Sequence, residues 1–205
     1  WELKTESPLF NIDLIGKNKV FAFSNLAALI NYSATFAVGF LMSLYLQLIK
    51  GMTPREAGII LIAQPIVQAF FSPLAGRLSD RLETRIVASI GMAMTALGLL
   101  FFSFLSQEAT ILFIIGTLML LGFGFALFSS PNTNAVMSSV ERKFYGIASG
   151  TLGTMRATGM MFSMGMVMVI FAIYIGPTQI TPSTYPLFLK SVRVAFVIFT
   201  ILCLA

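Results

Sequence analysis

The stretch "SPLAGRLSDRLETR", residues 72–85, decides how this 205-residue chain is read. From Arg77 to Arg85 it sets two acids, Asp80 and Glu83, among three arginines. Twenty uncharged residues, 57–76, lie on one side, and twenty-two more, 86–107, on the other. Each flank is long enough for a helix to cross a bilayer, which takes about 20 residues. The charged knot is then a ten-residue loop at the membrane surface, between two spans.

The rest of the chain fits this reading. It is 57% hydrophobic and 10% charged, with mean hydropathy +0.90, whereas a soluble domain carries about 25% charged residues. Four further apolar runs make six spans in all: about 20–49, 54–78, 86–106, 110–139, 145–175 and 187–205. None alternates polar and apolar over about ten residues, which argues against a β-barrel. The expected class is an all-α integral membrane protein. The net charge of +5 sits in short loops and is not a nucleic-acid signal. One cysteine, Cys203, and no histidine leave no disulfide framework, metal site or cofactor site, and no enzyme is expected.

Basic residues assign the two sides. Lys4, Lys17, Lys19, Arg77, Arg81, Arg85, Arg142 and Lys143 fall on one, against Lys50, Arg55, Lys190 and Arg193 on the other. The positive-inside rule then puts the N-terminus and the charged loop in the cytoplasm, in a cell (inner) membrane. Residues 1–19 form a cytoplasmic linker, and "PLFNIDLIGKNKVF", residues 8–21, reads equally as a short amphipathic surface helix. "GMTPREAG" marks a helix start, with Thr53 as N-cap, Pro54 at the first position and Glu56 closing a capping box. Gly176 and Pro177 close the fifth span, and 176–186 reads as a proline-rich outer loop. Glycines within the spans suit close helix packing. Pro65, Pro73 and Pro131 each remove a backbone hydrogen bond within or near the end of a span.

Polar residues inside the spans are the candidates for function. Gln64, Gln68 and Ser72 form one stripe on the second helix, and Asn31 and Tyr32 mark the first. Asn132 and Asn134 flank the lower part of the fourth span as structural polar residues. Arg156 stands ten residues beyond the cytoplasmic end of the fifth span, about 15 Å deep at about 1.5 Å per residue. A charge at that depth is costly. It either snorkels to the surface, is held by carbonyls, meets an anionic substrate, or pairs with a carboxylate outside this sequence. No Asp or Glu lies deep in any of the six spans to serve it.

"GRLSDR" resembles the cytoplasmic signature of the major facilitator superfamily, G-x-L-x-D-R-x-G-R-R. Gly76, Leu78, Asp80, Arg81 and Arg85 fit it; Glu83 and Thr84 depart from it, as is usual of the copy in the C-terminal half. Residues 45–81 and 122–159, the second including Asn132 and Arg156, resemble the fourteen-span drug:proton antiporter branch. The resemblance implies one half of such a carrier, built from two inverted three-helix repeats at 20–106 and 110–205. It implies a latch role for Gly76, Asp80, Arg81 and Arg85, and a central cavity faced by Asn31, Tyr32, Gln64, Gln68 and Arg156. The other six-helix half would carry the proton-binding carboxylates, and in its absence self-association would cover the open face. Implied partners are the lipid bilayer, protons and hydrophobic or amphipathic small molecules, with proton-coupled export as the activity. A carrier for one defined, anionic solute and a non-transporting scaffold are the alternatives.

Overall fold

The computed structural model describes residues 18–176 and 180–204. Eight α-helices build six membrane-spanning rods: α1 (Lys19–Thr35) with α2 (Ala37–Leu48), α3 (Pro54–Leu61) with α4 (Ala63–Arg81), α5 (Thr84–Ser103), α6 (Ile111–Ser138), α7 (Tyr145–Tyr174) and α8 (Tyr185–Leu204). All six rods are long and apolar enough to span a membrane. They pack as one all-α bundle.

Local chemistry sets several ends. Thr53 Oγ1 accepts the Glu56 N–H while Glu56 Oε2 accepts the Thr53 N–H at 2.8 Å, the capping box expected at α3. Asn18 caps α1 by accepting the Phe21 N–H, and its own amide donates to Ser139 O at 2.6 Å. One residue thus starts α1 and ties it to the end of α6. The signature stretch differs from the expected ten-residue loop: α4 runs through Arg81, α5 begins at Thr84, and two residues join them. Charged residues can continue a helix once it leaves the hydrocarbon, because water solvates them there. The proline-rich segment is also more helical than expected. Residues 182–184 make one 3₁₀ turn, Thr184 Oγ1 accepts the Thr181 N–H at 2.8 Å, and α8 starts at Tyr185. Pro186 is tolerated there because first-turn N–H groups lack partners in any helix. The surface-helix reading covers residues 8–21; residues 8–17 lie outside the described residues, Asn18 caps α1, and Lys19 to Phe21 already belong to α1.

Two spans are interrupted. In the second, Ile62 separates α3 from α4 where Pro65, lacking an N–H, leaves Leu61 O without its helical donor. In the first, the helix breaks at Phe36, which the sequence does not announce. The Ala37 N–H turns to Ser163 Oγ on α7, at 3.0 Å. Hydroxyls of Ser33 and Thr35 bond the carbonyls four residues earlier, a back-bonding that bends helices.

Small residues let the rods touch. A Cβ on Gly91 of α5 would lie 2.6 Å from the Phe128 N of α6, and one on Gly124 would lie 2.8 Å from the Thr95 N. The two backbones therefore cross in direct contact, held by dispersion rather than by a hydrophobic drive that lipid cannot supply. Gly122 of α6 meets Gln64 O of α4 in the same way, and Gly159 of α7 meets Leu29 O of α1. Gly116, Gly146, Gly150, Gly153 and Gly165 face open space, so the packing expectation holds for only part of the set.

The main core lies where α2, α5, α6 and α8 meet, around Tyr45, Phe102, Phe188, Phe196 and Phe199. At the same end of the bundle three side chains serve three successive carbonyls beyond α5. Arg193 Nε donates to Leu105 O at 2.5 Å, Tyr45 OH to Ser106 O at 2.6 Å, and Lys50 Nζ to Gln107 O at 2.6 Å. Carbonyls in such a connection have no helical donor, and side chains serve them instead.

Burial is uneven among the rods. In the most apolar window of the second span 6% is buried, and in the fifth 22%, against 39–56% in the other four. The second and fifth spans therefore carry the uncovered surface.

Candidate functional site

Gly159 fixes the orientation of α7. A Cβ there would lie 3.0 Å from Tyr32 Cβ and 3.1 Å from Ser33 N, so the Gly159 face is pressed against α1. Arg156 precedes it by three residues and shares that face. Its guanidinium carbon lies 5.5 Å from the centroid of the Tyr32 ring, and Nη2 donates to Thr133 Oγ1 of α6 at 2.7 Å. The Thr133 hydroxyl spends its own proton on Ser129 O, at 2.7 Å, and so is free to accept. Tyr32 is set in turn by an edge-to-face contact with Phe125, centroids 5.3 Å apart. Arg156 thus joins three spans through two neutral groups, a hydroxyl and an aromatic face.

The arginine is not extended into water. It is half-buried, its Nε is buried with no partner among the described residues, and it makes no ion pair among them. Acids in the described chain stand only at span ends or in loops: Glu56, Asp80, Glu83, Glu108 and Glu141. A cation–π contact and one hydrogen bond orient the charge. They do not neutralise it.

The other candidates are placed as follows. Asn31 is fully buried and donates to Met92 Sδ of α5 at 3.0 Å, so it faces away from its neighbour Tyr32 and is not brought to Arg156. Gln64 and Gln68 are half-buried on α4, which packs on α6, and neither side chain forms a hydrogen bond among the described residues. Asn132 is buried with Nδ2 unpartnered among the described residues. Asn134 donates to Ser79 Oγ at 3.4 Å, a weak tie between α6 and α4. Gly76 lies beside Ser130 of α6, while Asp80, Arg81 and Arg85 are exposed with no ion pair among the described residues. Sequence reasoning missed Thr133, Ser163 and the Tyr45–Lys50–Arg193 group. Their partners lie 23 to 126 residues away in sequence, and no local pattern signals them.

The family model of the Major Facilitator Superfamily matches residues 25–205. The chain belongs to this superfamily. It is a multi-pass membrane protein, and the non-enzymatic reading agrees with that family. Among its relatives, the riboflavin transporter RibZ of Clostridioides difficile is 27% identical over 155 residues, covering 76% of this chain and 34% of that one. The uncharacterised transporter YebQ of Escherichia coli is 31% identical over 158 residues, 77% of this chain and 34% of that one. The multidrug resistance protein Stp of Mycobacterium tuberculosis is 27% identical over 177 residues, 86% and 33% respectively. The chain therefore spans about a third of the length of these superfamily relatives.

Proposed function

We propose that this chain is the second half of a secondary transporter of the drug:proton antiporter branch, which exports amphipathic compounds by alternating access in exchange for protons. One observation carries the reading: the second and fifth spans are left uncovered, while a charged side chain is held at the meeting of the first, fourth and fifth. A bundle that covered its own polar residues would need no such open faces. Relatives named for multidrug resistance and riboflavin transport supply the substrate class.

Several finer features belong to this reading. The second span packs on the fourth as the first packs on the fifth, and the third meets the fourth as the first meets the sixth. Exchanging spans one, two and three for four, five and six maps each of these pairs onto the other. That symmetry supports two inverted three-helix repeats, 20–106 and 110–205. The other half would supply the proton-binding carboxylates and cover the open faces; a second copy would cover them where it is absent. Gly76, Asp80, Arg81 and Arg85 act as a latch whose partners lie outside this chain, in keeping with the lack of ion pairs at Asp80, Arg81 and Arg85 among the described residues. Gln64, Gln68, Tyr32 and Arg156 border the central space, and the signature turn lies on the cytoplasmic side.

Reconstitution tests this. The full-length parent in proteoliposomes with an imposed pH gradient should move amphipathic dyes against their gradient and dissipate the pH difference as it does so. Saturable uptake of a single solute would favour the defined-solute carrier instead. Failure to move any compound, with or without the gradient, would favour the scaffold.

A further inference from the structure

The Arg156 site has a sign as well as a shape. Its guanidinium offers five N–H donors, and among the described residues one is spent, on Thr133. The two groups that fix it are uncharged, and no carboxylate stands within any span beyond the end turns among the described residues. In a low-dielectric setting such a charge acts over several ångströms and is poorly screened.

There is also room beside it. The fourth and fifth spans are consecutive yet touch little, and Arg156 reaches across from one to the other. On α7, Gly153 lies one turn before Arg156 on the same face and is exposed, and a Cβ added there meets nothing within 4 Å. Tyr32 and Phe125 add aromatic surface on the opposite side. An aromatic wall beside one fixed cation, with no counter-charge among the described residues, suits a flat or bulky apolar body bearing a carboxylate or sulfonate. The same charge repels a cation of equal size.

We infer that Arg156 sets the charge preference of the substrate path, admitting amphipathic anions ahead of cations of the same size and shape. This rests on the reading that the Arg156 face borders that path.

Tetraphenylborate and tetraphenylphosphonium differ in charge at nearly constant shape, and so isolate the effect. Binding of both is measured on the purified full-length protein in detergent. The borate-to-phosphonium affinity ratio should fall by at least about tenfold in Arg156→Gln, as expected for removal of a nearby charge, and should survive in Arg156→Lys. Thr133→Asp keeps the arginine but places a carboxylate against Nη2, and should lower the ratio likewise. It carries the comparison where Arg156→Gln fails to fold. A ratio unchanged within about twofold in a folded neutralising variant overturns the inference. The two claims fail separately. Export without any Arg156-dependent ratio removes the charge preference alone, whereas an Arg156-dependent ratio in a protein that exports nothing removes the export reading alone.

Discussion

Ser163 Oγ accepts the Ala37 N–H at 3.0 Å, at the point where the first span breaks. Both residues are completely buried, so no solvent can take over this bond. Ser163→Ala should destabilise the full-length protein by about 1–3 kcal/mol, the cost of leaving a buried donor unserved. Thermal unfolding in detergent measures it. Ser163→Thr keeps the acceptor and should recover part of the loss, which separates the bond from packing.

The crossing of α5 and α6 predicts a contrast between two glycines. Gly91→Ala places a methyl 2.6 Å from the Phe128 N and 2.7 Å from Gly124 O, both backbone atoms that cannot rotate away. The helices must separate, at about 1–3 kcal/mol for overpacking. Gly116→Ala meets nothing within 4 Å on the same α6 and should be neutral, or stabilising by up to about 1 kcal/mol from helix propensity. Melting temperatures of the two variants should move in opposite directions or at least differ clearly.

At the opposite end from Asp80, Tyr45→Phe removes the donor to Ser106 O without changing the packed ring. A loss of about 1 kcal/mol is expected. Arg193→Met, removing the donor to Leu105 O, should cost a similar amount. Lys50 is more open to water, and Lys50→Gln should cost less. Unchanged stability in both Tyr45→Phe and Arg193→Met would show that the loop after α5 does not depend on these ties.

Asp80 supports a different expectation. It is exposed and unpaired among the described residues, so Asp80→Asn should leave unfolding stability within about 0.5 kcal/mol, as for surface changes. If it belongs to a latch with a partner outside this chain, the populations of the two carrier states should shift, and transport should slow at unchanged substrate affinity in either locked state. A drop of more than about 1 kcal/mol in stability would make Asp80 an ordinary structural residue.

Hydropathy made the six spans legible, because a bilayer demands long apolar runs whatever their neighbours. The Thr53–Glu56 box was legible because its two hydrogen bonds are local. The signature turn showed its residues but not its length, since nothing in the charges says where a helix leaves the hydrocarbon. The break at Phe36 was hidden: neither proline nor glycine stands there, and its cause is a hydroxyl 126 residues away. Arg156 announced itself by its charge. That Tyr32 and Thr133 hold it depends on how three spans cross, as does the turning of Asn31 toward Met92 on the other face.

The central claim is that the Arg156 face borders a water-accessible substrate path rather than lipid. Gly153, one turn before Arg156 on the same face of α7, is exposed, with nothing within 4 Å of an added Cβ, so a cysteine at 153 in the full-length protein, with Cys203 replaced by Ser, reports on that face directly. In proteoliposomes a membrane-impermeant thiol reagent should label it, and an exported compound should slow the labelling severalfold. Reaction with a lipid-soluble maleimide alone, at a rate the compound does not change, would place the face in lipid and contradict the account.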